Sequence, residues 1–335
     1  MYAPDWDLPH HPGPEDSWQE SDCYWWFDKA LGIGGWHRIG QYENQALGQS
    51  SIFLYEIGGS RFLDRSVAVP GAECRRTATG QNVGRSAVEC LAPQIMRYRY
   101  VSDRASVDLQ FAESFYEPRD WMIGGRHEKA LATETGHLEV GGRIRGKVQI
   151  GNREAEVDAL AHRDRSWGPR NLHGLDVLWF CNGTAGPDLS WTVMDVRLSS
   201  GHKRTVGFIA RGKQTEDINR VEVNVITAAD AITPLRGFVT LASASGAIDL
   251  DIHTNQGFMQ RIAPGPFIVI DQSSRVFVDG REGFADFGVV QNALHGEHLP
   301  ETEAEVRLTC VVDGTSTFQS HAKAIAPGLR AIWDT

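Results

Sequence analysis

The chain lacks the features by which a sequence reveals a metal site, a membrane span or a nucleic-acid partner. Its five cysteines are scattered and never form a C-x-x-C pair, so we expect neither a zinc site nor a disulfide framework. Acidic residues outnumber basic residues by 43 to 33, which argues against partners that present phosphate groups, nucleic acid and anionic membrane alike. No apolar run approaches the roughly 20 residues that a membrane helix needs, so we expect no transmembrane segment.

The first eighteen residues, MYAPDWDLPHHPGPEDSW, also lack a basic n-region and an apolar h-region. We therefore expect no secretory signal, and the unpaired cysteines favour a reducing cytoplasm. The 335 residues are enough for two domains of about 150 residues each. The sequence is compatible with a homo-oligomer.

Glycine and tryptophan are abundant, with 35 and ten residues, as in turn-rich β-structure with large side chains inside. The segment HLEVGGRIRGKVQIGNREAEVDALAH alternates apolar and polar residues on either side of Gly151-Asn152, which predicts an antiparallel hairpin. Similar short segments recur along the chain, whereas convincing 3.6-residue periodicity is scarce. The sequence therefore predicts an all-β protein with little helix, built as two antiparallel β-barrels or sandwiches.

The domain boundary has no sharp linker. The polar, glycine-bearing stretch GGRHEKALATETG, 124–136, is the best candidate. It predicts an N-terminal β-domain over residues 1–136 and a C-terminal one over residues 137–335, with the boundary anywhere from about 125 to 175.

A family resemblance is carried by the block H-R-D-x-S-W-G-x-R, which begins at His162 and follows the hairpin. Upstream, DSWQESDCYWWFDKALGIGGWHRIGQYENQ contributes to the same resemblance. Together these segments resemble the two-domain lipocalin-like proteins grouped with carotenoid 1,2-hydratases (hydroxyneurosporene synthases), AttH-like proteins and fungal Diels–Alderases. The resemblance covers residues 17–60 and 137–200.

The resemblance implies two lipocalin-like, calycin-type barrels packed together, with a hydrophobic pocket near their junction. It implies chemistry on hydrophobic, often terpenoid or polyketide, molecules without a metal or organic cofactor: addition or removal of water at an alkene, or cyclisation. In the hydratases the proton donor is an Asp on a later strand, and the matching position here is Asp195. The hydratases commonly have His where this chain has Arg165, which would remove an imidazole proton relay.

Asp195 lies in SWTVMDVRL, where period-two alternation places it on one strand face with Trp191 and Val193. If that face looks inward, an apolar environment raises the pKa of the carboxyl group and suits it to donate a proton. If Asp195 points outward, it pairs with a base such as Arg197.

Asp164 has Arg163 and Arg165 as sequence neighbours and Arg170 nearby, so we expect arginines to hold it ionised, as a base or as a structural salt bridge. Alternation places His162 and Asp164 on one face with Ser166. DRSWG is no nucleophile elbow, so we do not expect a hydrolase triad.

The same block contains side chains of the kinds that bind metals. His162, Asp164 and His173 match no compact zinc spacing, and neighbouring arginines repel cations. We therefore expect no metal.

Aromatic and polar side chains near these acids are candidates for substrate binding, through cation–π contact or as a pocket wall, with core packing as the alternative. The candidates are Trp167, Trp179, Trp191, Tyr24, Trp26, Trp36, His37 and Arg165.

The leading hypothesis is a cofactor-independent lyase, hydratase, dehydratase or cyclase that acts on a hydrophobic terpenoid-like or steroid-like molecule, with Asp195, Asp164 and His162 as catalytic candidates. The alternatives are a non-catalytic lipocalin-like carrier of a hydrophobic ligand and a structural protein with filled barrels.

Overall fold

The computed structural model describes residues 2–120, 135–170, 174–201, 203–228, 233–262, 267–292 and 310–311. These residues contain no α-helix and three short 3-10 turns, Pro4–Asp7, Glu43–Gln45 and Gly71–Glu73. Among them is no helix long and apolar enough to cross a membrane. The chain divides into two compact units, residues 1–173 and 174–335.

The first unit is built on one antiparallel sheet of twelve strands. Its strands are β1 (Trp18–Asp28), β2 (Ile33–Tyr42), β3 (Leu47–Glu56), β4 (Arg61–Pro70), β5 (Cys74–Arg76), β6 (Gly80–Val83), β7 (Ser86–Ala92), β8 (Ile95–Val101), β9 (Ala105–Ser114), β10 (Arg119–Asp120), β11 (Gly136–Ile150) and β12 (Arg153–Pro169). The spatial order is β4-β3-β2-β1-β12-β11-β9-β8-β7-β6-β5, and β10 pairs with β11.

This sheet curls into a nearly closed barrel. Side chains of β2 reach strands at the far end of the sheet: His37 Nε2 lies 2.9 Å from Ser86 Oγ, and Gln41 Nε2 donates to the carbonyl of Asn82 at 3.1 Å. The predicted β11–β12 hairpin is confirmed, with Ile150 opposite Arg153 across the Gly151-Asn152 turn. Gly151 has φ +60°, which its lack of a Cβ permits.

The second unit is built on a second antiparallel sheet, of ten strands. They are β13 (Leu175–Thr184), β14 (Leu189–Leu198), β15 (Lys203–Arg211), β16 (Gln214–Asp217), β17 (Arg220–Ala228), β18 (Pro234–Ser243), β19 (Gly246–Ile262), β20 (Phe267–Val278), β21 (Arg281–Asn292) and β22 (Cys310–Val311). Its core is a cluster of buried aliphatic and aromatic side chains that includes Trp179, Trp191 and Phe287. Two barrel-type units of this kind form a double lipocalin-like fold.

The units divide after residue 173, later than the boundary expected after residue 136 and inside the interval of 125–175. The physical reason is the hairpin: β11 pairs with β9 and β12 pairs with β1, so both strands complete the first sheet. Residues 124–134 of the expected linker lie outside the described residues.

Candidate functional site

The guanidinium groups of Arg163 and Arg165 are buried on the inner face of the first barrel. On this face, side chains of β1 and β2 contact strands on the opposite side of the barrel. Arg165 Nη1 donates to both carboxylate oxygens of Asp22, at 2.7 and 2.6 Å, and Nη2 donates to Glu20 at 2.6 Å. Arg163 donates to Asp7, which the 3-10 turn Pro4–Asp7 brings to the barrel. These contacts form a buried ionic network, in which each guanidinium has a carboxylate partner.

The inner face also contains most of the aromatic candidates of the first half. His37 Nδ1 lies 3.1 Å from the hydroxyl of Tyr24, and burial lowers the pKa of His37 to about 3. Trp26 is fully buried on the same face. At one end Trp167 stacks on His10, with 3.9 Å between ring centroids. These side chains therefore fill the barrel interior.

A second group of polar and aromatic side chains lies on the outward face of strands β11, β12, β1, β2 and β3. Strand register arranges its side chains in three cross-strand rows. The rows are His137, Ser166, Ser21, Gly40, Gln49; then Glu139, Asp164, Cys23, Arg38, Ser51; and then Gly141, His162, Trp25, Trp36, Phe53. We call this set the outward cluster. Two polar rows thus lie beside one row rich in aromatic side chains.

Four ionisable side chains of the outward cluster form a continuous chain of contacts. His162 Nε2 makes a short contact with Glu139 Oε2, and Glu139 Oε1 lies 3.1 Å from His137 Nε2. The same His137 nitrogen lies 2.9 Å from Asp164 Oδ2. His162 and Glu139 are fully buried, whereas the side chains of His137 and Asp164 are 14% and 15% exposed. The buried pair of His162 and Glu139 therefore contacts the pair of His137 and Asp164, which is partly exposed to solvent.

The charges and hydrogen bonds around His137 and Asp164 shift their pKa values in opposite directions. Burial alone would lower the pKa of His137, but the charge of Asp164 and the hydrogen bonds that His137 donates to Asp164 and Glu139 raise it to about 10. Burial alone would raise the pKa of Asp164, but the charge and hydrogen bond of His137 and the charge of Arg170 lower it. At neutral pH His137 is thus a protonated donor and Asp164 an ionised acceptor.

Arg163 and Arg165 do not pair with Asp164, because residues adjacent in a strand point to opposite faces; their carboxylate partners are Asp7 for Arg163, and Asp22 and Glu20 for Arg165. Arg170, the third arginine expected near Asp164, does act on it and lowers its pKa. The expectation that His162 and Asp164 share a face with Ser166 is confirmed by the strand register.

Three side chains of this cluster are of the kinds that bind metals. One ligand atom each from His137, Glu139 and Asp164 lies within 4.8 Å of the others, a spacing that a cation could use. The raised pKa of His137 means that a metal would have to displace a proton held at neutral pH. His173, an earlier candidate ligand, lies outside the described residues.

The remaining candidates belong to the second unit. Asp195 is half-buried, and its Oδ1 accepts a hydrogen bond from Thr205 Oγ1 at 2.7 Å. Trp191 and Trp179 lie in the core of that unit, and Trp179 meets Phe287 edge-on. The first-barrel candidates and the second-unit candidates are therefore parts of different sheets.

Among the ionisable members of the outward cluster, sequence reasoning missed His137, Glu139, Cys23 and Arg38. The signal for the first two is the His-x-Glu spacing in GHLEV, which places both side chains on one strand face. It becomes informative once β11 is registered against β12, because that register sets Glu139 opposite Asp164.

A family model described as "Domain of unknown function (DUF7064)" matches residues 3–293. No curated protein matches the sequence significantly.

Solved structures match the fold over most of the chain. A protein described as an AttH, from Nitrosomonas europaea, has a TM-score of 0.61 at 12% identity and covers 82% of this chain and 92% of its own. CghA with Sch210972 has a TM-score of 0.58 at 13% identity, covering 82% and 89%. Kievitone hydratase from Nectria haematococca has a TM-score of 0.53 at 11% identity, again covering 82% and 89%. These matches confirm the fold expected from the resemblance.

Proposed function

We propose that this chain, which belongs to the family of the Domain of unknown function (DUF7064), is an acid–base enzyme acting on a hydrophobic, terpenoid-like or steroid-like small molecule. The reaction is addition or removal of water, or cyclisation, and needs no cofactor. That a protein of the same fold is named a hydratase supports this reaction class.

The observation that carries the proposal is the chain of contacts from His162 through Glu139 and His137 to Asp164, next to an aromatic row. Trp25 is 6% exposed, and its ring centroid lies 6.3 Å from that of His162. Trp25 also lies 6.4 Å from Trp36, ring centroid to centroid. Ionisable groups beside aromatic rings suit a substrate that is mostly apolar and reacts at one polarised bond.

The protonation states give His137 and Asp164 complementary roles. In hydration, Asp164 accepts a proton from the attacking water, the new C–O bond forms, and the imidazolium of His137 donates a proton to the other alkene carbon. Dehydration is the reverse. A donor with a pKa of about 10 matches an alkene conjugated to a carbonyl, whose addition passes through an enolate. Glu139 positions His137 and His162 through one carboxylate.

The test pairs two substitutions, Asp164→Asn and Asp195→Asn, in a turnover screen of hydrophobic α,β-unsaturated ketones in ¹⁸O-labelled water. Label in the product identifies hydration, and an isomer without label identifies cyclisation. We expect Asp164→Asn to lower kcat by about 10²–10⁴-fold, the usual contribution of a general base, and Asp195→Asn to stay near wild type.

If Asp195→Asn lowers kcat and Asp164→Asn does not, the catalytic carboxylate is Asp195 of the second unit. A chain that binds an apolar dye and converts no candidate in the screen would favour the carrier. Near wild-type turnover in both variants would contradict acid–base catalysis by either carboxylate.

A further inference from the structure

Hydrogen-bond donors from three places in the first sheet converge at one end of the outward cluster. Gln19 lies on β1, Arg38 on β2, and Arg170 follows the end of β12. Arg170 Nε donates to Gln19 Oε1 at 2.6 Å, which fixes the amide. Arg38 Nη1 donates to Gln49 Oε1 at 2.9 Å, which fixes that guanidinium.

Gly40 allows two of these donors to approach each other, because it has no Cβ. A Cβ at residue 40 would lie 2.7 Å from Gln19 Nε2 and 3.3 Å from both terminal nitrogens of Arg38. The Gln19 amide and the Arg38 guanidinium therefore occupy the space over Gly40 and lie close enough to each other for one acceptor between them to contact both.

Gln19 supplies an independent sign of a ligand. Its side chain is 3% exposed, and Nε2 has no hydrogen-bond partner in the part of the chain that the structure describes. A buried donor of this kind calls for an acceptor. The neighbouring side chains Arg38 and Arg170 are both cationic, so an anionic acceptor is favoured.

Arg38 and Arg170 also repel each other. Burial, with the charge of Arg38 as a further cause, lowers the pKa of Arg170 to about 10, although Tyr42 and Asp164 oppose the shift. Asp164, the carboxylate of the neighbouring row, contacts His137. An anion placed between the guanidiniums would relieve their repulsion.

We propose that Gln19, Arg38 and Arg170 form a receptor for an anionic oxygen group, so that the ligand of the outward cluster is a hydrophobic organic acid rather than a neutral hydrocarbon. This inference rests on the proposed function, because it assigns the substrate class of the same site. The acidic group lies between the Gln19 amide and the Arg38 guanidinium, and the apolar body extends toward the row of Trp25 and Trp36.

The test compares two fluorescent probes with the same aromatic frame in the full-length protein. 8-Anilino-1-naphthalenesulfonate has an anionic oxygen group, and N-phenyl-1-naphthylamine lacks it. Wild type should bind the anionic probe more tightly. Arg38→Met should weaken the anionic probe by about tenfold, as expected for loss of a charge-assisted hydrogen bond, and leave the neutral probe within about twofold. Arg75→Met removes an exposed arginine of β5 and should change neither affinity.

Gly40→Ala is the second variant, because its Cβ would displace the Gln19 amide and the Arg38 guanidinium while every charge is kept. It should weaken the anionic probe alone, and circular dichroism confirms that each variant is folded. If the wild type binds both probes equally and neither Arg38→Met nor Gly40→Ala changes the affinities, the proposed receptor is wrong, whereas the proposed function is not contradicted. Equal losses in Arg38→Met and Arg75→Met also overturn it, since they indicate general electrostatics. If neither probe binds to the wild type, both the proposed receptor and the proposed function are contradicted.

Discussion

His137 couples protonation to stability at the scale of a single residue. Its pKa is raised from 6.5 to about 10, chiefly by Asp164 against the effect of burial. A raised folded-state pKa stabilises the protein fully below the unfolded value and loses that contribution as pH rises through the folded value. The pKa of Asp164 is lowered from 3.8, so its contribution is present above that value and is lost on acidification. The ion pair is therefore most stabilising between about pH 4 and 6.5.

We predict that the free energy of unfolding conferred by His137 declines between about pH 6.5 and 10. The measurement is urea denaturation of wild type and His137→Gln across this range. The difference between the two should be largest near pH 6 and shrink toward pH 10. His11→Gln changes an exposed histidine and should track wild type throughout. A difference that grows with pH would show that the imidazolium is not the stabilising form.

At the scale of elements, residues 2–10 are fixed to the first sheet by buried ionic contacts. Arg163 pairs with Asp7, and Arg165 Nη2 donates to the carbonyl of Leu8 at 2.8 Å. His10 Nδ1 lies 2.8 Å from Glu20 Oε1. The segment thus supplies the carboxylate partner of Arg163 and a further acceptor to Arg165, which already pairs with Asp22 and Glu20 of the sheet.

We predict that Asp7→Asn destabilises the protein by about 3–5 kcal/mol, because it leaves the guanidinium of Arg163 buried without its carboxylate. Asp5→Asn makes the same chemical change at an exposed position of the same 3-10 turn, and it should cost less than about 0.5 kcal/mol. Chemical denaturation measures both. Adding Arg163→Met to Asp7→Asn should recover part of the loss, and a fully additive double variant would contradict a direct pair.

Local patterns predicted the β-hairpin because turn chemistry and period-two alternation act within a few residues. They also placed His162 and Asp164 on one face. They did not reveal the partners of those residues, because Glu139 meets Asp164 only through the register of β11 against β12. The Arg163–Asp7 pair spans 156 positions, and no local property of either residue encodes it. The contacts of the candidate site depend on strand pairing between distant residues, so they are harder to predict from the sequence than the fold class.

At the scale of the whole molecule, net charge and local charge have opposite signs. The chain has a formal charge of −10, whereas the proposed receptor presents two arginines. Long-range repulsion acts on an approaching anion through solvent and is screened with a Debye length of about 10 Å at 0.1 M salt. Contacts inside the buried receptor are screened much less.

We therefore predict that the association rate of the anionic naphthalene probe rises with ionic strength, by about two- to tenfold between about 10 and 200 mM NaCl. Its dissociation rate should change little over the same range. Stopped-flow fluorescence measures both rates, and the neutral probe, which feels no long-range field, should show no salt dependence. A rate that falls as salt is added would mean that the local field of Arg38 and Arg170 extends into solvent and outweighs the net charge. Repeating the series with Arg38→Met separates the two contributions, because that variant should retain the rise with salt and lose affinity through faster dissociation.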